Sequence, residues 1–176
     1  MSRLQKHLLV AAVLLASSIT FSGCSSVVVP VAPTSGPATQ ATITPAQLAQ
    51  DENRVNLAAA LATKGCLVAM DSTDVTATAI AINQVDNAIL AATVNNQLNL
   101  TQLRLLADKA AANVKGTGKQ KLIVSQAVDS VFLVVQNRVN SDFNGLSDSD
   151  KLTATIRIVR AAAQGSADAT TMFLTN

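Results

Sequence analysis

The chain has 176 residues, 49% of them apolar, 14% charged and 2% aromatic, with a formal net charge of +2. A charge so close to zero excludes a nucleic-acid binder that works through a dense basic surface. So apolar a chain with so few charges is not intrinsically disordered over most of its length. The mean hydropathy of +0.33 points toward a membrane, so the placing of the apolar residues decides the reading.

The first of them lie at the N-terminus. Arg3, Lys6 and His7 form a short basic region, an apolar run extends from Leu8 to Ala16, and small and polar residues lead to Cys24. A charged start, a short apolar core and small residues before a cut site are the parts of a secretory signal. The run is well short of the roughly 20 apolar residues that a membrane-spanning helix needs.

Phe21-Ser22-Gly23-Cys24 resembles the lipobox of bacterial lipoproteins, in which small residues precede a cysteine that becomes acylated and N-terminal. Phe21 departs from the family pattern, which has Leu or another aliphatic residue there, but it still supplies a bulky apolar side chain. The alternative is an ordinary secretory signal with a chance cysteine at its end. The resemblance covers residues 1–25 alone. It implies that residues 1–23 are a removed signal peptide and that Cys24 carries thioether-linked lipid and palmitate. Ser25 rather than Asp after the cysteine implies sorting to the outer membrane, facing the periplasm. Removal of Arg3 and Lys6 takes 13 basic residues to 11, against 11 acidic ones, so the mature side chains are formally neutral.

Residues 25–50 carry no charged side chain, and all four prolines, Pro30, Pro33, Pro37 and Pro45, lie between 30 and 45. Residues 24–43 therefore read as a disordered, lipid-anchored linker with an r.m.s. reach of about 25 Å. The Val27–Val31 run within it either pairs as a strand or sits unstructured near the lipid interface.

Residues 44–176 read as an all-α domain, an up-and-down bundle of four or five helices, since no proline follows Pro45. Thr44-Pro45-Ala46-Gln47 opens the first helix with a capping threonine, a proline at the first helical position and Gln three residues after the cap. Leu48, Val55, Ala59, Ala62 and Cys66 share one face, with Leu57, Leu61 and Val68 nearly opposite, so packing on two sides is expected. Gly65 either continues or ends this helix.

Asp71 to Asp74 is a dense capping signal for a second helix, about 74–96, whose face carries Ile82, Val85, Ile89 and Ala92. A third, about 100–115, places Leu100, Leu103, Ala107, Ala110 and Val114 at helical spacing and ends at Lys115-Gly116-Thr117-Gly118. The fourth, about 119–140, is the most apolar, with Val124, Val128, Val131, Val135 and Val139 in one stripe. It is expected as the central helix, buried on several faces; Gln126, Asp129 and Ser130 argue against a membrane span. After a loop from Asn140 to Leu146, Ser147 to Asp150 starts a fifth helix with Leu152, Ile156, Val159 and Ala163, which Gly165 bends or ends unless Thr170 and Phe173 continue it.

The chemistry is marked by what is missing. The only histidine is His7, inside the signal, and Trp and Tyr are absent. Glu52 is the only glutamate. Histidine-dependent triads, Glu–Glu acid–base pairs and His-containing zinc sites are therefore excluded, and an enzyme is not expected. No cofactor and no metal site is expected. With Cys24 lipidated, Cys66 is left alone, as either a buried structural thiol or an intermolecular disulfide. Lys115-Gly-Thr-Gly-Lys119-Gln-Lys121 resembles a phosphate loop superficially, but lacks its Gly-Lys-Ser/Thr ending. Asn140, Asp142, Asn144, Asp148 and Asp150 offer oxygens without the spacing of a calcium loop. Phe143 among them is read as an exposed partner contact, unless it tucks back onto the core.

The expected function is thus a non-catalytic envelope lipoprotein, attached to the membrane through Cys24, that serves as a protein-interaction or structural module. An assembly or pilot factor for an envelope partner is one example. The alternatives are a phage- or plasmid-encoded lipoprotein in entry exclusion or lysis, and a small module that binds an apolar ligand.

Overall fold

A computed structural model describes residues 42–70, 72–94 and 98–174. The signal, Cys24, Ser25 and the linker as far as residue 41 lie outside the described residues, whereas Ile43, read as the end of the linker, packs against the core. The described residues belong to one compact unit, Ala41–Asn176, and fold as five helices with no strand among them. These are α1 (Pro45–Val68), α2 (Ser72–Ala92), α3 (Leu100–Ala112), α4 (Gly118–Asp142) and α5 (Asp148–Thr171).

Each described cap has a local cause. Thr44 accepts from the Gln47 N–H at 3.2 Å, and the Gln47 side chain accepts from the Thr44 N–H at 3.0 Å. Asn99 with Gln102 and Thr117 with Gln120 build the same reciprocal box on α3 and α4. Ser147 accepts from the Asp150 N–H at 3.2 Å to start α5. Asn99 thus begins α3. Neither Gly65 nor Gly165 ends its helix.

The directions of the helices follow from pairs that meet. Asp51 pairs with Arg138, so α1 and α4 are antiparallel. Asn83 meets Thr170, and Thr76 meets the Phe173 carbonyl, so α2 and α5 are antiparallel too. Glu52 with Arg157, Asn56 with Ala161 and Thr63 with Ser166 make α1 and α5 parallel. Up-and-down alternation of five helices requires this, since the first and the last point the same way. The heaviest packing in the bundle is between α1 and α5, whereas the consecutive pair α1 and α2 touches little.

Two expectations are corrected here. The centre of the bundle is α5, not α4: half of its 24 residues are buried, against seven of the 25 in α4. The apolar residues Val131 to Val135 are not buried on all sides, because Leu133 is 52% exposed. By length and composition α4 is the one helix among the described residues able to cross a membrane, yet its Val stripe lies in the bundle core. Second, α1 packs on one side. Leu48, Val55, Ala59 and Leu67 are buried, while Leu57, Leu61 and Val68 are 58–60% exposed.

The core joins Leu67, Ile82, Ile89, Leu103, Val124, Val135 and Ile158, among others, in one cluster. Full burial of each such aliphatic side chain contributes about 1.5–3 kcal/mol.

Candidate functional site

Polar groups concentrate where α1, α2 and α5 meet. Ala161, Ala162, Gly165, Ser166 and Ala169 make α5 thin on that side, so α1 approaches closely. A Cβ on Gly165 would stand 2.1 Å from the Asn56 carbonyl oxygen and 2.7 Å from its carbon, so only glycine fits against that backbone. Nearby, Asn56 Nδ2 donates to the Ala161 carbonyl at 3.1 Å.

Deeper in the seam, Asp86, Ser166 and Thr63 are all buried, and Asp86 is 2% exposed. Ser166 Oγ donates to the Asp86 carboxyl. Thr63 Oγ1, 2.8 Å from Ser166 Oγ, is then left to donate to it. The second carboxyl oxygen, Asp86 Oδ2, has no hydrogen-bond partner among the described residues. Burial raises the Asp86 pKa to about 7, with the Ser166 hydrogen bond pulling it partly back. The seam continues through Asn83 Nδ2, which donates to Thr170 Oγ1 at 3.1 Å, and Thr170 Oγ1, which donates to the Ala167 carbonyl at 2.6 Å. Chemically, this arrangement holds or releases one proton inside the bundle.

Three arginines, by contrast, are committed to carboxylates. Arg138 pairs with buried Asp51 and, at 2.8 Å, with Asp142. Arg157 grips Glu52 at 2.5 and 3.0 Å. Arg104 pairs with Asp108 and Asp129 and lies 5.3 Å above the centre of the Phe132 ring. Burial opposes the Arg104 charge, but the two carboxylates more than offset this and hold its pKa above the ordinary value.

Among the residues singled out from sequence, Phe143 is corrected. It is fully buried, at the C-cap of α4, where its N–H donates to the Val139 carbonyl and its ring joins the core cluster. The chain turns there to enter α5, and the apolar ring is carried inward while Asn144 stays outside. Cys66 is half-buried against the core as a free thiol, its pKa raised by burial. The oxygen-rich loop is used internally: Asn144 Nδ2 donates to the Asn140 carbonyl, Asp142 pairs with Arg138, and Asp150 works with Ser147 at the α5 start. No group of three metal-ligating side chains occurs among the described residues.

The feature that faces outward is the stripe of Leu57, Leu61 and Val68 on α1. These positions fall within about 40° of one another around a 3.6-residue helix, with exposed Lys64 between them. The polar seam was not anticipated; its one visible signal was Asp86 within the apolar face of Ile82, Val85 and Ile89. No family model, no curated protein and no solved structure matches this chain.

Proposed function

We propose that the chain is a non-catalytic lipoprotein, anchored to the outer membrane through lipid on Cys24 and facing the periplasm, whose helical bundle binds another envelope protein. Signal, Cys24 and Ser25 support the anchor, and residues 24–43 supply a tether with a reach of about 25 Å. The observation that carries the binding role is the exposed α1 stripe. Scattered surface leucines are ordinary, but Leu57, Leu61 and Val68 line one helix face that is left exposed among the described residues. An amphipathic face of this kind docks into an apolar groove through residues at helical spacing.

Photo-crosslinking in intact cells tests this. A crosslinking amino acid at Leu61 should give a discrete adduct with one envelope protein, while the same group at Thr153, exposed on α5, should not. Equal yields at both positions would refute the α1 face as the contact. Cys24→Ser should abolish lipidation and membrane association; unchanged fractionation and processing would refute the anchor.

A further inference from the structure

Asn144-Gly145 is the one Asn-Gly dipeptide in the chain. The side-chain carbonyl carbon of an asparagine and the backbone nitrogen of the next residue can close a five-membered ring, and glycine puts no Cβ beside that nitrogen. Here the pair sits between α4 and α5, in the turn that follows the C-cap Phe143. Both residues are exposed. The Leu146 N–H donates to the Phe143 carbonyl at 3.4 Å and closes the turn around them, while the Gly145 N–H takes part in no hydrogen bond among the described residues. Asn56, Asn83, Asn87, Asn137 and Asn140 lie instead inside helices, where the next N–H belongs to the helical ladder and the backbone is held.

We propose that Asn144 is a site of self-modification, at which the Gly145 nitrogen attacks the side-chain carbonyl carbon and the product, isoaspartate, loosens the α4–α5 turn. In the first step the Gly145 N–H gives its proton to hydroxide or a buffer base, and its nitrogen bonds to Asn144 Cγ. The Cγ–Nδ2 bond breaks, and Nδ2 takes the proton back from the base to leave as ammonia. Water then opens the resulting succinimide. Addition at Cγ breaks the new Cγ–N bond and gives aspartate. Addition at the Asn144 backbone carbonyl carbon breaks the original peptide bond and leaves the main chain running through Cγ, as isoaspartate.

The turn is sensitive to this change because the amide is in use. Asn144 Nδ2 donates to the Asn140 carbonyl at 2.5 Å, near the C-terminus of α4, and that carbonyl receives no backbone N–H from the turn. Attack requires the amide to leave Asn140 and swing toward Gly145, so this hydrogen bond sets the pace in the folded protein. Either product removes the donor and puts a carboxylate at the negative pole of α4. Isoaspartate also adds a methylene to the main chain inside the turn that Leu146 and Phe143 close. Phe143 is fully buried and reaches the core at that turn, so a longer backbone there disturbs the junction of α4 with α5. Because ammonia is lost, the change is one-way and accumulates with the age of the chain.

The test uses the full chain carrying Cys24→Ser, purified without lipid and kept folded for weeks in neutral buffer at physiological temperature. Trypsin releases residues 139–151 between Arg138 and Lys151, and mass spectrometry follows that peptide, with a sample from the start correcting for conversion during digestion. It should gain one mass unit at position 144, as NH2 gives way to OH, and split into aspartate and isoaspartate forms on chromatography. Position 140 should stay unchanged. Conversion should be largely lost in Gly145→Ala, whose Cβ crowds the nucleophile, and in Asn144→Gln, whose ring would be one atom larger. The isoaspartate form, separated by ion exchange, should unfold at a lower urea concentration than fresh protein, with Asn144→Asp between the two. No conversion at position 144 in the folded chain, conversion only in urea, or equal conversion in Gly145→Ala overturns the site. An isoaspartate form as stable as fresh protein overturns its effect on the turn. The reaction needs neither lipid nor partner, so these outcomes are independent of the Cys24 and Leu61 experiments.

Discussion

Replacing Asp86 with asparagine should remove most of the pH dependence of stability between about pH 5 and pH 8. The Asp86 carboxyl is buried, donated to by Ser166 and unpaired at Oδ2, and its pKa is raised from 3.8 to about 7. A raised native pKa means that the folded protein holds this proton more tightly than the unfolded chain does. Its contribution is therefore fully present below pH 4 and is lost as pH rises through 7. At 1.36 kcal/mol per pH unit, the gap between 3.8 and about 7 amounts to about 4 kcal/mol. Integration of the two titrations places about 2.5 kcal/mol of that loss between about pH 5 and pH 8. Urea unfolding of parent and Asp86→Asn across this window is the assay. The parent should lose roughly 2–3 kcal/mol as pH rises, and Asp86→Asn should stay nearly flat and be the more stable protein at the alkaline end. An equal slope in both proteins would refute the assignment of the titration to Asp86.

Gly165→Ala forces a Cβ into the Asn56 backbone and should cost about 3 kcal/mol or more, read as a lowered urea midpoint. Gly118→Ala, with nothing within 4 Å of its new methyl, should change stability little or raise it by several tenths of a kcal/mol. Phe143→Ala should destabilise by about 3–5 kcal/mol because the ring is fully buried, whereas a surface contact residue would lose little.

Periodicity and capping chemistry made the helices legible. Thr44-Pro45 with Gln47 and Ser147 with Asp150 act on adjacent backbone, so their effect depends on few other residues. The order of burial was not legible in the same way. Reading for apolar stripes ranks α4 first, because Val and Phe score highly and Ala, Gly, Ser and Thr score low. Burial in this bundle follows closeness of approach instead, and small side chains allow it. Thr63, four residues after Ala59, and Ser166, one after Gly165, occupy core positions that an apolar template skips. Phe143 was misread for a related reason, since its polar neighbours in sequence are outside the bundle while it alone turns in. The outward stripe on α1 was visible as Leu57, Leu61 and Val68, but a second apolar face has the same pattern whether it is covered or bare. Only the packing of α1 against α5 on one side decides that.

The small residues of α5 also explain why polar groups are buried there at all. Alanine-rich surfaces bury little area per residue, and one Ala ridge resembles the next a turn away, so apolar contact alone specifies the register of α1 on α5 weakly. Close approach restores dispersion contacts, but it would do so nearly as well after a one-turn slip. The Asn56–Ala161 and Thr63–Ser166 hydrogen bonds cannot both survive such a slip, and a slip would put the Asn56 backbone against a side chain other than Gly165. Leaving these buried groups unpaired costs about 1–3 kcal/mol each, which separates the native register from its neighbours. The helices they align are the first and last of the bundle, which meet only after the intervening chain has folded back. Asp86 extends the same seam to α2 and brings in a titratable group, so the pairing of three helices is coupled to one buried proton.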